Sequence, residues 1–291
     1  MTEVYSFFDI FDGNGQLLDY KGREEDIAYL QREMAADGSF RGRNGKGGDL
    51  YFTFFGAAAM RLLGEDIPGC VQDFITRCRS RDAMAMVDRL FLSGTECLLG
   101  SAGERKLPED DLAWCSSLLT EPDRHQTHHL FLAFAILESV GELPGESFLG
   151  DIQRELYRRR TSQGGFRNTP RMGPPLVTAT AAAVYILVRS AAEVGTEVWD
   201  WLAANQTVTG GFCLHPWSPW PDLLSTGTSV VAFRVAGRPL PAEDGIARFI
   251  ELQQGKGGGY RLFPRSRCAD VESTFYAILV RRLIEEVSAP C

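Results

Sequence analysis

Apolar residues recur at helical spacing through most of the chain, in runs separated by glycine-rich turns. Residues 24–36 place Ile27, Leu30 and Met34 on one helical face, with acids in the first turn where the helix dipole favours them. Further helical patterns cover 49–64, 71–79, 83–99, 109–120, 124–141 and 146–160. The series continues at 177–192, 195–205, 223–236, 242–254 and 271–286. Two kinds of helix alternate. One is rich in charge. The other is small and apolar all round (GAAAM, ATAAAVYILV, STGTSVVAF), as expected of a helix buried on both sides. The pattern predicts an all-α protein of about six helix pairs, with the charged helices outside and the apolar ones inside. Residues 1–22 are irregular and aromatic, and are expected to form an arm packed on the body formed by residues 24–286.

The turns repeat as well. Gln254, Gly258-Gly259-Tyr260, Asp270 and Thr274 follow the same grammar as Gln206, Gly210-Gly211-Phe212, Asp222 and Thr226. A third copy has Arg160, Gly164-Gly165-Phe166 and Thr180, with Leu176 at the aspartate position, and a fourth has Gly38, Phe40, Asp49 and Thr53. The aromatic positions 166, 212 and 260 are 46 and 48 residues apart. A fixed period of this size marks a repeat architecture. Phe40 and Phe166 lie 126 residues apart, about three periods, so two degenerate units belong between them. In one, Asp123 and Thr127 keep the spacing from aspartate to threonine. Closing the helix pairs into an α/α toroid (an α6–α6 barrel) leaves no terminal repeat exposed; an open superhelix is the competing arrangement. No linker or shift in composition divides residues 1–291, so one domain is expected. The glycines let the backbone leave a helix with φ > 0, and each aspartate suits an N-cap.

The net charge of −8 argues against a nucleic-acid surface and a polybasic membrane anchor. The longest uncharged apolar run, Val177 to Val188, is too short to span a bilayer. Seven dispersed cysteines without a C-x-x-C pair read as reduced thiols, and the acidic N-terminus is unlike a signal peptide, so a cytoplasmic protein is expected.

The glycine-aromatic units resemble the prenyltransferase and squalene-oxidase repeat of protein prenyltransferase β subunits and triterpene cyclases. Gln206-x-x-x-Gly210-x-Phe212 and Gln254-x-x-x-Gly258-x-Tyr260 are similar to the cyclases' QW motif, with another aromatic in place of tryptophan. The resemblance implies a toroid whose aromatic central cavity takes a prenyl diphosphate or other isoprenoid. Residues 40–55 (FRGRNGKGGDLYFTFF) resemble the β-subunit segment G-R-x-x-K-x-x-D-x-C-Y-S. In that family the arginine and lysine hold the diphosphate, and the aspartate and cysteine bind zinc. Gly42, Arg43, Lys46 and Asp49 match, whereas Tyr51 replaces the cysteine and Phe52 the tyrosine. No histidine precedes a repeat threonine. The resemblance therefore implies diphosphate binding at Arg43 and Lys46 with zinc not expected, Mg²⁺ remaining compatible.

In the last unit, Arg265 and Arg267 precede Asp270 and Glu272, a second diphosphate-binding candidate. Asp49, Asp270 and Glu272 are the candidate catalytic acids, and Tyr51, Phe52 and Phe55 the candidate cavity aromatics. First-turn acids are also explained by helix capping alone. His125, His128 and His129 read as a structural or surface group, and Glu109-Asp110-Asp111 as an acidic first turn. The expected function is an isoprenoid-handling transferase resembling a β subunit, which would work with a helical partner subunit. The alternatives are a small terpene cyclase of the same fold and a non-catalytic toroid binding a lipid or peptide.

Overall fold

The structure is a computed structural model that describes residues 6–12, 18–43, 47–81 and 83–288, the last four of these by backbone alone. Lys46 lies outside the described residues. Six helices form an outer set: α1 (Arg23–Glu33), α3 (Gly69–Arg79), α5 (Glu109–Thr120), α7 (Glu146–Arg159), α9 (Thr196–Ala204) and α11 (Glu243–Gln253). Six form the inner set: α2 (Leu50–Leu62), α4 (Met86–Leu99), α6 (Thr127–Ser139), α8 (Val177–Arg189), α10 (Leu223–Val235) and α12 (Val271–Ser288). Each inner helix packs on the next, and α12 packs back on α2. The ring is closed, which settles the choice between toroid and open superhelix. A two-residue hairpin, β1 (Phe40–Arg41) with β2 (Gly48–Asp49), is the one sheet among the described residues.

The glycine-aromatic grammar is a hydrogen-bond circuit. In four units the aromatic residue is buried, and its amide donates to the hydroxyl of the threonine one turn into the inner helix. These bonds are Phe40–Thr53 at 3.1 Å, Phe166–Thr180 at 2.8 Å, Phe212–Thr226 at 2.9 Å and Tyr260–Thr274 at 3.0 Å. Each threonine hydroxyl donates in turn to the carbonyl four residues back, at 2.6–2.8 Å. Asp49, Asp222 and Asp270 cap their helices by accepting from the amides of Phe52, Ser225 and Ser273. Buried turn backbone and helix start are thus satisfied together.

The same turns dock on the next outer helix. Gly210 has φ +96°, and a Cβ there would stand 1.9 Å from the Gly245 carbonyl oxygen, so only glycine fits. The last turn closes the ring by the same contact. A Cβ on Gly258 would stand 2.0 Å from the carbonyl oxygen of Glu25, and the Gly259 amide donates to Asp26 at 2.8 Å.

The N-terminal segment, expected as an arm packed on the body, packs into it. Phe7, Phe8 and Phe11 are buried inside the ring, against Phe131 and Tyr185 on one side and Phe54 and Phe275 on the other. Six apolar helices meeting around a hole leave aromatic surface that must be covered, and this segment covers it at one end.

Candidate functional site

A cavity of about 250 Å³ lies at the centre of the ring and is walled by all six inner helices, including Phe55, Phe91, Phe131, Tyr185, Val231 and Tyr276. Phe7 also lines it. Tyr51, Val87, Thr178, Leu224 and Glu272, each the second residue of its helix, line it too, so the N-terminal ends of the inner helices gather around the mouth. Exposed Val87 and Gln126 mark where the cavity meets solvent. Among the described residues, no lysine or arginine lines the cavity.

One polar cluster stands at the mouth. The guanidinium of Arg43 bridges Asp270, with Nε to Oδ2 at 3.1 Å, and Glu272, through a second nitrogen. Tyr51 donates its hydroxyl to the other Glu272 oxygen at 2.5 Å. The Arg43 side chain is 46% exposed, while those of Asp270 and Glu272 are 8% and 3% exposed. Burial raises the Glu272 carboxyl above its usual range, although Tyr51 and Arg43 pull it back. Tyr276, half-buried beside it, keeps its hydroxyl protonated, again through desolvation.

The candidates from the first and last units therefore meet, 227 and 229 residues apart in sequence, because ring closure sets α12 beside α2. Asp49 does not join them. It is exposed and caps α2. Phe55 and Tyr51 line the cavity, whereas Phe52 packs on Tyr51 and under Gly42. Arg265 and Arg267 are exposed, and Arg265 lies over the Trp220 ring at 4.4 Å. His128 and His129, read from sequence as a structural or surface group, line the cavity. Desolvation lowers His128 to about 4, which keeps it neutral near pH 7. Their i, i+1 positions at the start of an apolar helix could have signalled this. Burial pushes Cys97 to about 11 and Cys115 to about 12, which makes these two thiols poor nucleophiles. Among the described residues, no group of three or more His, Cys, Asp and Glu side chains is arranged to hold a metal ion.

A ring of alternating outer and inner helices around an aromatic cavity defines the architecture, and comparison with known proteins defines the family. The family model of the prenyltransferase alpha-alpha toroid domain matches residues 15–91 and 190–290, more than half of the chain. The protein belongs to that family. Among solved structures it is similar to *Candida albicans* protein geranylgeranyltransferase-I complexed with GGPP, with a TM-score of 0.68 and 12% identity over 89% of this chain and 90% of that one. At that identity the likeness is one of fold. No curated protein matches the sequence. Among the described residues, no helix is long and apolar enough to cross a membrane.

Proposed function

We propose that the protein is an isoprenoid-handling transferase that holds the tail of a prenyl diphosphate in the central cavity, with the diphosphate at the mouth beside Arg43. The observation that carries this reading is the aromatic cavity, closed by Phe7 and rimmed by the N-terminal ends of the inner helices. Burying an isoprenoid tail there contributes about 25 cal/mol per Å² of apolar surface before ordering costs. Helix N-termini favour an anion, and Arg43 adds an exposed guanidinium fork. To reach a phosphate, Arg43 must turn from Asp270 and Glu272. Its exchange of partners would couple binding of the head group to the charge on Glu272.

The donor set at the mouth does not fit zinc. Tyr51 stands where the resemblance calls for a thiolate, no histidine precedes a repeat threonine, and Arg43 already bridges the two carboxylates nearby. Among the described residues all six cysteines are free, which supports a reducing, cytoplasmic setting.

One observation favours a second reading, a terpene cyclase. Glu272 is a buried carboxyl with a raised pKa among aromatic rings, the environment a proton donor to an alkene requires. Binding of farnesyl diphosphate and farnesol to wild type and Arg43→Ala, measured by calorimetry, tests the leading reading. Losing Arg43 should weaken the diphosphate about tenfold or more and leave the alcohol within about twofold, since a charge-assisted bond contributes roughly 1.5–3 kcal/mol. Equal binding of the diphosphate to both proteins refutes the placement at Arg43. Conversion of either ligand to an isomeric cyclic product, lost in Glu272→Gln, would favour the cyclase.

A further inference from the structure

We infer that the segment Ser6–Asp12 is a built-in floor of the central cavity and that Phe7 sets how long an isoprenoid tail the protein admits. This rests on the isoprenoid reading of the cavity. The segment precedes the stretch matched to the family, which begins at residue 15. It crosses the hole rather than lying against one wall. Phe7 meets Phe131 of α6 at 5.1 Å between ring centroids, while Phe11 meets Phe275 of α12, on the far side of the ring, at 6.0 Å. Phe8 lies between, 6.4 Å from Phe54 of α2.

The segment is also pinned by polar groups. The Phe7 amide donates to the Tyr185 hydroxyl at 2.7 Å. Arg105, whose side chain is 2% exposed, donates to the Phe8 carbonyl at 3.0 Å and to Asp9 at 2.8 Å, and also pairs with Asp12. Arg61, near the end of α2, holds the other Asp12 oxygen. A buried arginine satisfied by one short segment anchors that segment, because withdrawing it would strand the charge.

Phe7 alone of the segment lines the cavity. With that ring in place the volume of about 250 Å³ falls below the roughly 300–1,000 Å³ usual for ligand pockets. The floor therefore selects a short tail, and removing the ring opens room for at least part of another isoprene unit.

The test measures binding of geraniol, farnesol and geranylgeraniol to wild type, Phe7→Ala, Phe7→Leu and Phe148→Ala. The alcohols isolate the tail from the head group. The ratio of geranylgeraniol to geraniol affinity should rise about tenfold or more in Phe7→Ala, and in the same direction in Phe7→Leu, since even one methylene in an apolar pocket changes affinity by about that factor. Phe148→Ala, which truncates an exposed ring on outer helix α7 away from the cavity, should leave the ratio within about twofold. Phe7→Leu is read alone if Phe7→Ala does not fold. An unchanged ratio in a folded Phe7 variant, or an equal rise in Phe148→Ala, overturns the floor. Failure of wild type to bind any of the three alcohols overturns the isoprenoid reading itself.

Discussion

Thr226→Val probes the circuit that joins each turn to its inner helix. Valine keeps the shape and β-branching of threonine and removes one hydroxyl. In wild type that hydroxyl accepts from the Phe212 amide at 2.9 Å and donates to the Asp222 carbonyl at 2.7 Å. The carbonyl also accepts from the Thr226 amide at 3.0 Å, so it stays satisfied. The Phe212 amide belongs to a residue with no exposed surface and loses its acceptor. Stranding a buried donor costs about 1–3 kcal/mol. For a chain of this size that corresponds to a fall of roughly 2–6 °C in melting temperature. Differential scanning calorimetry provides the measurement, with two comparisons. Thr226→Ser keeps the hydroxyl and should recover most of the loss. Thr228→Val removes a hydroxyl that donates to the Leu224 carbonyl within its own helix, and should stay within about 0.5 kcal/mol of wild type. If Thr226→Val melts with wild type, or Thr228→Val falls as far, the circuit is not what holds the turn.

Gly210→Ala should destabilise by about 1–3 kcal/mol, read by urea denaturation, because it strains a positive φ and drives a methyl into the Gly245 carbonyl. Asp222 tests the pH dependence. Burial raises its carboxyl above the usual aspartate range, although its bonds to Ser225 act the other way. The folded protein then holds that proton more tightly than the unfolded chain, so its contribution is full below the unfolded value and is lost as pH rises through the folded one. Asp222→Asn keeps the cap and removes the titration, and its melting temperature should decline less across that window.

The four glycine-aromatic units were legible because one chemical circuit is written at one spacing in each. Residues 65–145 were harder because other groups do the same work there. Arg79 joins Glu96 and Asp111 across α3, α4 and α5, and Arg89 joins Asp111. Thr127 keeps its position but accepts from buried Arg159 and donates to the Arg167 carbonyl, where a repeat threonine would serve an aromatic amide. Scattered arginines carry no period. The site was legible as residues but not as a constellation. Arg43, Asp270 and Glu272 each stood out, yet their meeting depends on which helices become neighbours when the ring closes. Phe7 gave no signal, because an aromatic residue in an irregular stretch has no spacing to betray which face of the fold it covers.

Closure also constrains how the molecule can be assembled. The bond from Gly259 to Asp26 joins residues 233 positions apart, so the contact that seals the ring cannot form until almost all of the chain has left the ribosome. Long-range contacts of this kind slow folding. Until then α2 presents an uncovered apolar flank to the cell, and the aromatic segment destined for the hole is made early and enclosed late.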